Sequence, residues 1–205
     1  MRVVVPFEGT NPKTRLSDVL GPDERVAFAH AMLRDVLDAV RAAGAEPTVL
    51  ATGPVDVDAP VGVDERRLTP AVNAVLADAD RPVAVVMADL PLVTGPVLER
   101  LFATEGDVVV APGRGAGTNA LVVRDDAFRV DFHGASYLDH REAATAVGAD
   151  PTTVDSHRLA TDVDEPTDLV EVLVHGDGEA AEWLRTHGFR LDRGNGRVDV
   201  VRADD

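Results

Sequence analysis

The sequence predicts an α/β fold: a three-layer α/β/α sandwich with a mostly parallel, Rossmann-like central sheet. Three observations carry that expectation. Short β-branched runs alternate with helical periodicity almost to the end of the chain, which sets strands in one layer and helices on both faces. Residues 83–88 are continuously apolar, as in a strand covered on both sides. No repeat or low-complexity linker divides the 205 residues. A chain of this length reads as one domain, 1–205, able to bury roughly 70% of its unfolded surface.

In order, residues 2–6 read as a buried strand. Gly21-Pro22-Asp23-Glu24 starts a helix, with Pro in the first turn and carboxylates at the positive end of the dipole. Ala29, Met32, Leu33, Val36, Leu37 and Val40 form its apolar stripe, and Gly44 stops it. Residues 46–51 are the next strand. Thr69-Pro70 opens a helix with Val72, Val75, Leu76 and Ala79 on one face. The apolar strand 83–88 follows, then a helix from Thr94-Gly95-Pro96 carrying Val97, Leu98, Leu101 and Phe102. Strands are expected at 107–111, 120–123 and 152–155, and helices at 135–147, 166–174 and 178–187. The tail 188–205 reads as a strand pair.

Composition excludes several classes. There is no Cys, hence no disulfide scaffold, thiolate metal site or Cys nucleophile. The formal net charge of -16 repels phosphates at long range, so neither nucleic acid nor an anionic membrane is expected as a partner. No stretch approaches the roughly 18 apolar residues of a membrane span, and the first six residues are too few for a signal peptide. A cytoplasmic protein is the expectation. Nineteen of the 20 basic side chains are Arg and one, Lys13, is Lys, against 36 acidic residues. Hydrated carboxylates with almost no long Lys stems suit high internal salt, which screens the self-repulsion of such a surface.

Ligands of open α/β sheets bind outside the carboxyl ends of the strands, so loops at strand ends are the candidate sites. The segment 6–16 follows the first strand and sets Lys13 two residues from Arg15, among turn-forming residues. Such a loop aims cations and backbone N–H groups at phosphates, or is a solvated loop paired with surface carboxylates. Asp89, in Met87-Ala88-Asp89-Leu90-Pro91, ends the central apolar run. A carboxylate there suits Mg²⁺, which takes one or two carboxylates plus substrate phosphates. Gly113-Arg114-Gly115-Ala116-Gly117 allows close backbone approach, and Thr118 and Asn119 add short hydrogen-bonding groups. Ser136, after Phe132-His133-Gly134-Ala135, opens a helix where an anion is stabilised. Asp162 and Asp164 share a side of an extended segment, from which they could hold a metal with Asp89. The six His show no metal-ligand spacing, and no Ser–His pair supports a hydrolytic triad.

Together, Asn11-Pro12-Lys13-Thr14-Arg15-Leu16, Ala88-Asp89-Leu90-Pro91, Gly117-Thr118-Asn119-Ala120-Leu121 and Asp162-Val163-Asp164-Glu165-Pro166-Thr167-Asp168-Leu169 resemble the 2-phospho-L-lactate guanylyltransferase family in kind and order. The likeness spans most of the chain. It implies a GT-A-like nucleotidyltransferase fold, transfer of GMP from GTP to 2-phospholactate in deazaflavin coenzyme F420 biosynthesis, and a homodimer. It implies Lys13, Arg15 and Asp89 as catalytic residues and Asp89, Asp162 and Asp164 as Mg²⁺ ligands. Thr118, Asn119, His133, Gly134 and Ser136 would surround the phosphate of a three-carbon acid. The glycine-rich loop usual after the first strand of the wider superfamily is here the single-glycine segment 6–16. Phosphoenolpyruvate, 3-phosphoglycerate, a sugar phosphate and molybdopterin stand as alternative acceptors. Sugar-nucleotide transfer and a non-catalytic nucleotide-binding module are the other classes.

Salt adaptation is directly measurable. Transfer from molar to millimolar KCl should abolish the folded circular dichroism spectrum, and an unchanged spectrum would contradict it.

Overall fold

The computed structural model describes residues 1–194 and 196–203. Its main sheet has seven strands: β1 (Arg2–Phe7), β2 (Pro47–Ala51), β3 (Val61–Val63), β4 (Val83–Val86), β5 (Val108–Pro112), β6 (Thr118–Val123) and β7 (Pro151–Thr153). The spatial order is β3-β2-β1-β4-β6-β5-β7. Only β6 runs against its neighbours β4 and β5; the other pairings are parallel. The helices are α1 (Pro22–Ala42), α2 (Leu68–Asp78), α3 (Gly95–Ala103), α4 (Ser136–Ala146), α5 (His157–Ala160), α6 (Leu169–His175) and α7 (Glu179–Thr186).

Strand alternation builds two cores from one sheet. Val3 and Val5 of β1, with Ala84 and Val86 of β4, pack with Phe28, Leu33 and Leu37 of α1, Leu98 of α3 and Leu184 of α7. Val4, Val83 and Val85 face the opposite layer, where Val72 and Leu76 of α2, Ala144 of α4 and Phe128 cover them. Docking of α7 on α1 uses a carboxylate cap. Asp35 accepts the N–H groups of Glu179 at 2.6 Å and Ala180 at 2.9 Å. A Cβ on Gly178 would meet the Asp35 carboxylate at 2.3 Å, so only glycine leaves room for this cap.

Several boundaries differ from expectation. The edge strand β3 and the one-turn helix α5 were not expected. Too short to show a period, they are held by neighbours: β3 pairs with β2, and Leu159 of α5 is fully buried. The helix expected at 166–174 is a 3₁₀ turn, Pro166–Asp168, continued by α6. The strand expected at 120–123 begins two residues earlier, which brings Thr118 and Asn119 inside β6. The strand expected at 152–155 is β7, one residue earlier at its start. In the tail, β8 (Phe189–Asp192) and β9 (Asp199–Arg202) form the expected antiparallel pair. Residues 195, 204 and 205 of that tail lie outside the described residues. No described helix is long and apolar enough to cross a membrane.

Candidate active site

The strand order places a switch point between β1 and β4. From β1 the chain moves outward to β2 and β3, then returns across β1 to form β4. Loops leaving adjacent strands in opposite directions open a crevice at their carboxyl ends. A cleft of about 710 Å³ lies there, lined by Lys13, Arg15, Asp89 and Asp164 and also by Glu8, Leu50 and Ala71.

Lys13 is the centre of this edge. Its backbone is left-handed, at φ 52 and ψ 45, a conformation costing a non-glycine residue about 1–2 kcal/mol. Its carbonyl accepts the N–H of Leu16 at 2.9 Å and closes a 3₁₀ turn. That conformation sends the ammonium between two carboxylates: Nζ donates to Asp89 Oδ2 at 2.6 Å and to Asp164 Oδ1 at 2.8 Å. Burial alone would lower the Lys13 pKa, but Asp89 and Asp164 together outweigh it and raise it. The ammonium therefore stays charged. Arg15 lies beside it, Nη1 at 3.6 Å from Asp164 Oδ2, with an exposed side chain.

The acidic segment is tied to the same edge. Val163 donates its N–H to the carbonyl of Asp89 at 3.1 Å, which sets Asp162 and Asp164 on either side of that contact. Asn119 Nδ2 donates to Asp162 Oδ1 at 3.0 Å and to the Leu159 carbonyl at 2.9 Å. Asp168 Oδ2 accepts the N–H groups of Asp164 and Glu165, while its Oδ1 takes Arg114 Nη2 at 2.7 Å. Burial chiefly, with repulsion from Asp89 and Asp164, pushes the Asp162 pKa up against the Asn119 hydrogen bond. Lys13 Nζ thus meets two carboxylates, Asp89 and Asp164, while Asp162 lies beside them on Asn119 Nδ2; hard oxygen donors of this kind are the type that suits Mg²⁺.

Thr118 and Ser136, 18 residues apart, also converge: Ser136 Oγ donates to Thr118 Oγ1 at 3.3 Å. Both side chains are buried and neither lines the main cleft. Ser136 is the first residue of α4, and the cap itself is Ala135. His133 and Gly134 sit on the exposed loop before α4. Gly134 is left-handed at φ +53, with open space where a Cβ would project. Thus Lys13, Arg15, Asp89, Asn119, Asp162 and Asp164 form one connected group. Thr118 and Ser136 form a second, with His133 and Gly134 beside its helix.

Three contributors were not singled out from sequence. Arg25 is buried in the first turn of α1 and braces the Lys13 loop. It donates to the Pro12 carbonyl, the Leu20 carbonyl and Asn11 Oδ1. Glu8 also lines the cleft and is held in place: its Oε1 accepts the Thr10 N–H at 2.9 Å and the Thr52 hydroxyl at 3.0 Å. His140 is fully buried, with Nε2 accepting the Asp131 N–H at 2.9 Å. That bond puts the imidazole proton on Nδ1, which then donates to Thr118 Oγ1 at 2.9 Å. Thr118 Oγ1 thus accepts from both His140 and Ser136 in a buried network. Asn11-Pro12 beside Lys13 was the one available signal for Arg25, since such a loop needs a brace; a single His in a helix gave none.

The His140 network makes stability pH-dependent. Burial lowers its pKa from 6.5 to about 4. Between those values the unfolded chain binds more protons, so stability is full above pH 6.5 and falls as pH drops toward 4. Relative to His140→Gln, the wild type should lose about 2–3 kcal/mol of unfolding free energy between pH 7.5 and 4.5. Denaturant titrations at both pH values measure this, and parallel changes in the two proteins would contradict it.

Known proteins place this fold and sequence in a family. The family model described as "Guanylyl transferase CofC like" matches residues 1–202. A 2-phospho-L-lactate guanylyltransferase of Haloferax volcanii is 62% identical over 98% of this chain and 98% of its own. Among solved structures, a nucleotide-diphospho-sugar transferase-like protein of Desulfovibrio desulfuricans superposes with TM-score 0.69 at 18% identity, covering 91% of this chain and 96% of its own. A Mycobacterium tuberculosis protein in complex with manganese superposes at TM-score 0.51 and 17% identity, over 85% of this chain and 98% of that one. Matched over residues 1–202 by the family model and over 98% of its length by a relative 62% identical, the chain belongs to the CofC-like guanylyl transferase family.

Proposed function

We propose that this enzyme, as one nucleotidyltransferase domain over residues 1–205, transfers GMP from GTP to (2S)-2-phospholactate. The products are lactyl-2-diphospho-5'-guanosine and pyrophosphate, a step of coenzyme F420 biosynthesis. The observation that carries the reading is the Lys13 ammonium held between Asp89 and Asp164 at the switch-point cleft, joined to full-length relatives named for this activity. A homodimer in the cytoplasm belongs to the same proposal, with the family likeness as its support.

The acceptor phosphate oxygen attacks the α-phosphorus of GTP, and the bond from that phosphorus to the β-phosphate oxygen breaks as pyrophosphate leaves. A phosphate monoester is already an anionic nucleophile, so no general base is required. The protein's task is to align two anions and neutralise their charge. Lys13 and Arg15 stabilise the β,γ-phosphates and the departing pyrophosphate. The acceptor phosphate would sit near Asn119, His133 and Gly134, while Thr118 and Ser136, buried outside the main cleft, hold β6 against the start of α4 beside them. Asp89, Asp164 and Asp162 would hold Mg²⁺, which supplies charge neutralisation at the reacting phosphates. The manganese complex of the structural neighbour supports a divalent ion of this kind.

Base choice falls to the Glu8 side of the cleft. Guanine offers two adjacent donors, N1–H and the N2 amino group, which match a carboxylate; adenine offers an acceptor at N1. Glu8 is held in place through Oε1, leaving Oε2 without a partner among the described residues. Asp64, on the same cleft, is instead engaged by Arg66 at 2.8 Å and 2.5 Å. Leu50, Leu68 and Ala71 line the same cleft and suit the faces of a purine.

Two measurements check this reading, using pyrophosphate release in molar KCl with magnesium. Asp89→Asn should lower turnover about 100- to 1000-fold with an unchanged circular dichroism spectrum; near-normal turnover would remove Asp89 from the mechanism. Glu8→Ala should lower the GTP-over-ATP ratio of kcat/KM about 10- to 100-fold, the loss of a charge-assisted hydrogen-bonded pair. An unchanged ratio would assign base choice elsewhere. Replacing 2-phospholactate by phosphoenolpyruvate or 3-phosphoglycerate in the same assay identifies the acceptor.

A further inference from the structure

Although the His spacing shows no metal motif in sequence, the fold gathers two of the six around one carboxylate. His157 opens α5, whereas Glu171 and His175 lie one turn apart on α6. His157 Nε2 is 3.4 Å and His175 Nε2 is 3.5 Å from the same oxygen, Glu171 Oε2. Ligand atoms of all three residues lie within 4.8 Å of one another. The two rings meet edge to face, with centroids 5.3 Å apart, and both Nε2 atoms lie near the same carboxylate oxygen.

The distances separate two explanations. A charge-assisted hydrogen bond from imidazole to carboxylate is about 2.7–2.9 Å long, well short of both contacts. A tetrahedral ion with ligand bonds of about 2.0–2.1 Å sets its ligand atoms about 3.3–3.4 Å apart, and both contacts are close to that edge. From this geometry we infer that His157, Glu171 and His175 form a three-ligand site for a borderline transition-metal ion of the Zn²⁺ class. Two imidazole nitrogens select such an ion over Mg²⁺ or Ca²⁺. All three side chains keep solvent access, at 55%, 26% and 46% exposure, so an ion can enter and water can complete the tetrahedron.

The site is separate from the catalytic cleft, yet its position gives it a structural role. Its ligands bracket the segment 161–168 that carries Asp162 and Asp164. An ion joining His157 to Glu171 and His175 clamps α5 to α6 and closes that segment into a loop. The ion therefore binds the folded chain in preference to the unfolded one and raises its stability.

The test is titration of the full chain with ZnCl₂ by calorimetry, in molar KCl with magnesium present. Substitution by Co²⁺ reports tetrahedral geometry through its visible absorption. One equivalent should bind with micromolar affinity or better, and the unfolding temperature should rise. His157→Ala, His175→Ala and Glu171→Gln should each weaken binding about tenfold or more. Asp89→Asn and His133→Ala, which leave the cluster intact, should bind Zn²⁺ as the wild type does. Millimolar or absent binding, or binding that survives both His157→Ala and His175→Ala, overturns the site. So does loss of Zn²⁺ in Asp89→Asn, which would place the ion in the cleft.

Discussion

One buried ammonium between two carboxylates organises the functional edge of this molecule. Lys13 comes from the loop after β1, Asp89 from the turn that follows β4 and Asp164 from the segment before α6, and contact with one Nζ joins them. Burial opposes the charge on the ammonium, and the two carboxylates outweigh that effect. The left-handed backbone of Lys13 is the strain that this meeting requires. Arg25 beneath the loop and Asn119 beside Asp162 keep the partners in place. The same cluster that stabilises the edge is the one that can exchange its internal charge balance for phosphates and a divalent ion.

The acidic composition first argued against phosphate ligands, and the structure narrows that argument to the bulk surface. The net charge of -16 acts over a Debye length, which molar salt shortens to about 3 Å. Within the cleft Lys13 meets its two carboxylates at 2.6 and 2.8 Å, inside that length and with no room for an ion between them, whereas the exposed Arg15 at 3.6 Å is open to screening. A surface adapted to salt and a site adapted to anions thus operate at different ranges.

What could be read from sequence follows from how locally each feature is encoded. The strands β1 and β4 were legible because burial on both faces demands a continuous apolar run. Val61–Val63 was not, because three residues including a glycine carry no period and pairing with β2 alone makes them a strand. Lys13, Arg15, Asp89, Asp162 and Asp164 were legible because unusual residue chemistry falls where strands end. That Thr118 would sit under His140, or that Arg25 would brace the loop, depends on side chains brought together from 13 to 22 residues away. His157 and Glu171 pose the same problem: their spacing reflects the path of the fold between α5 and α6, and no local pattern records it.

Lys13 and Asp89 act as one unit, not two independent contributors, and a double-mutant cycle tests that most directly. Turnover would be measured for Lys13→Ala, Asp89→Asn and the double variant, with GTP, 2-phospholactate and magnesium in molar KCl. Coupled residues give a double variant scarcely worse than the poorer single one. Two losses that simply multiply would show that the ammonium and the carboxylate act apart, and the proposed centre would fall.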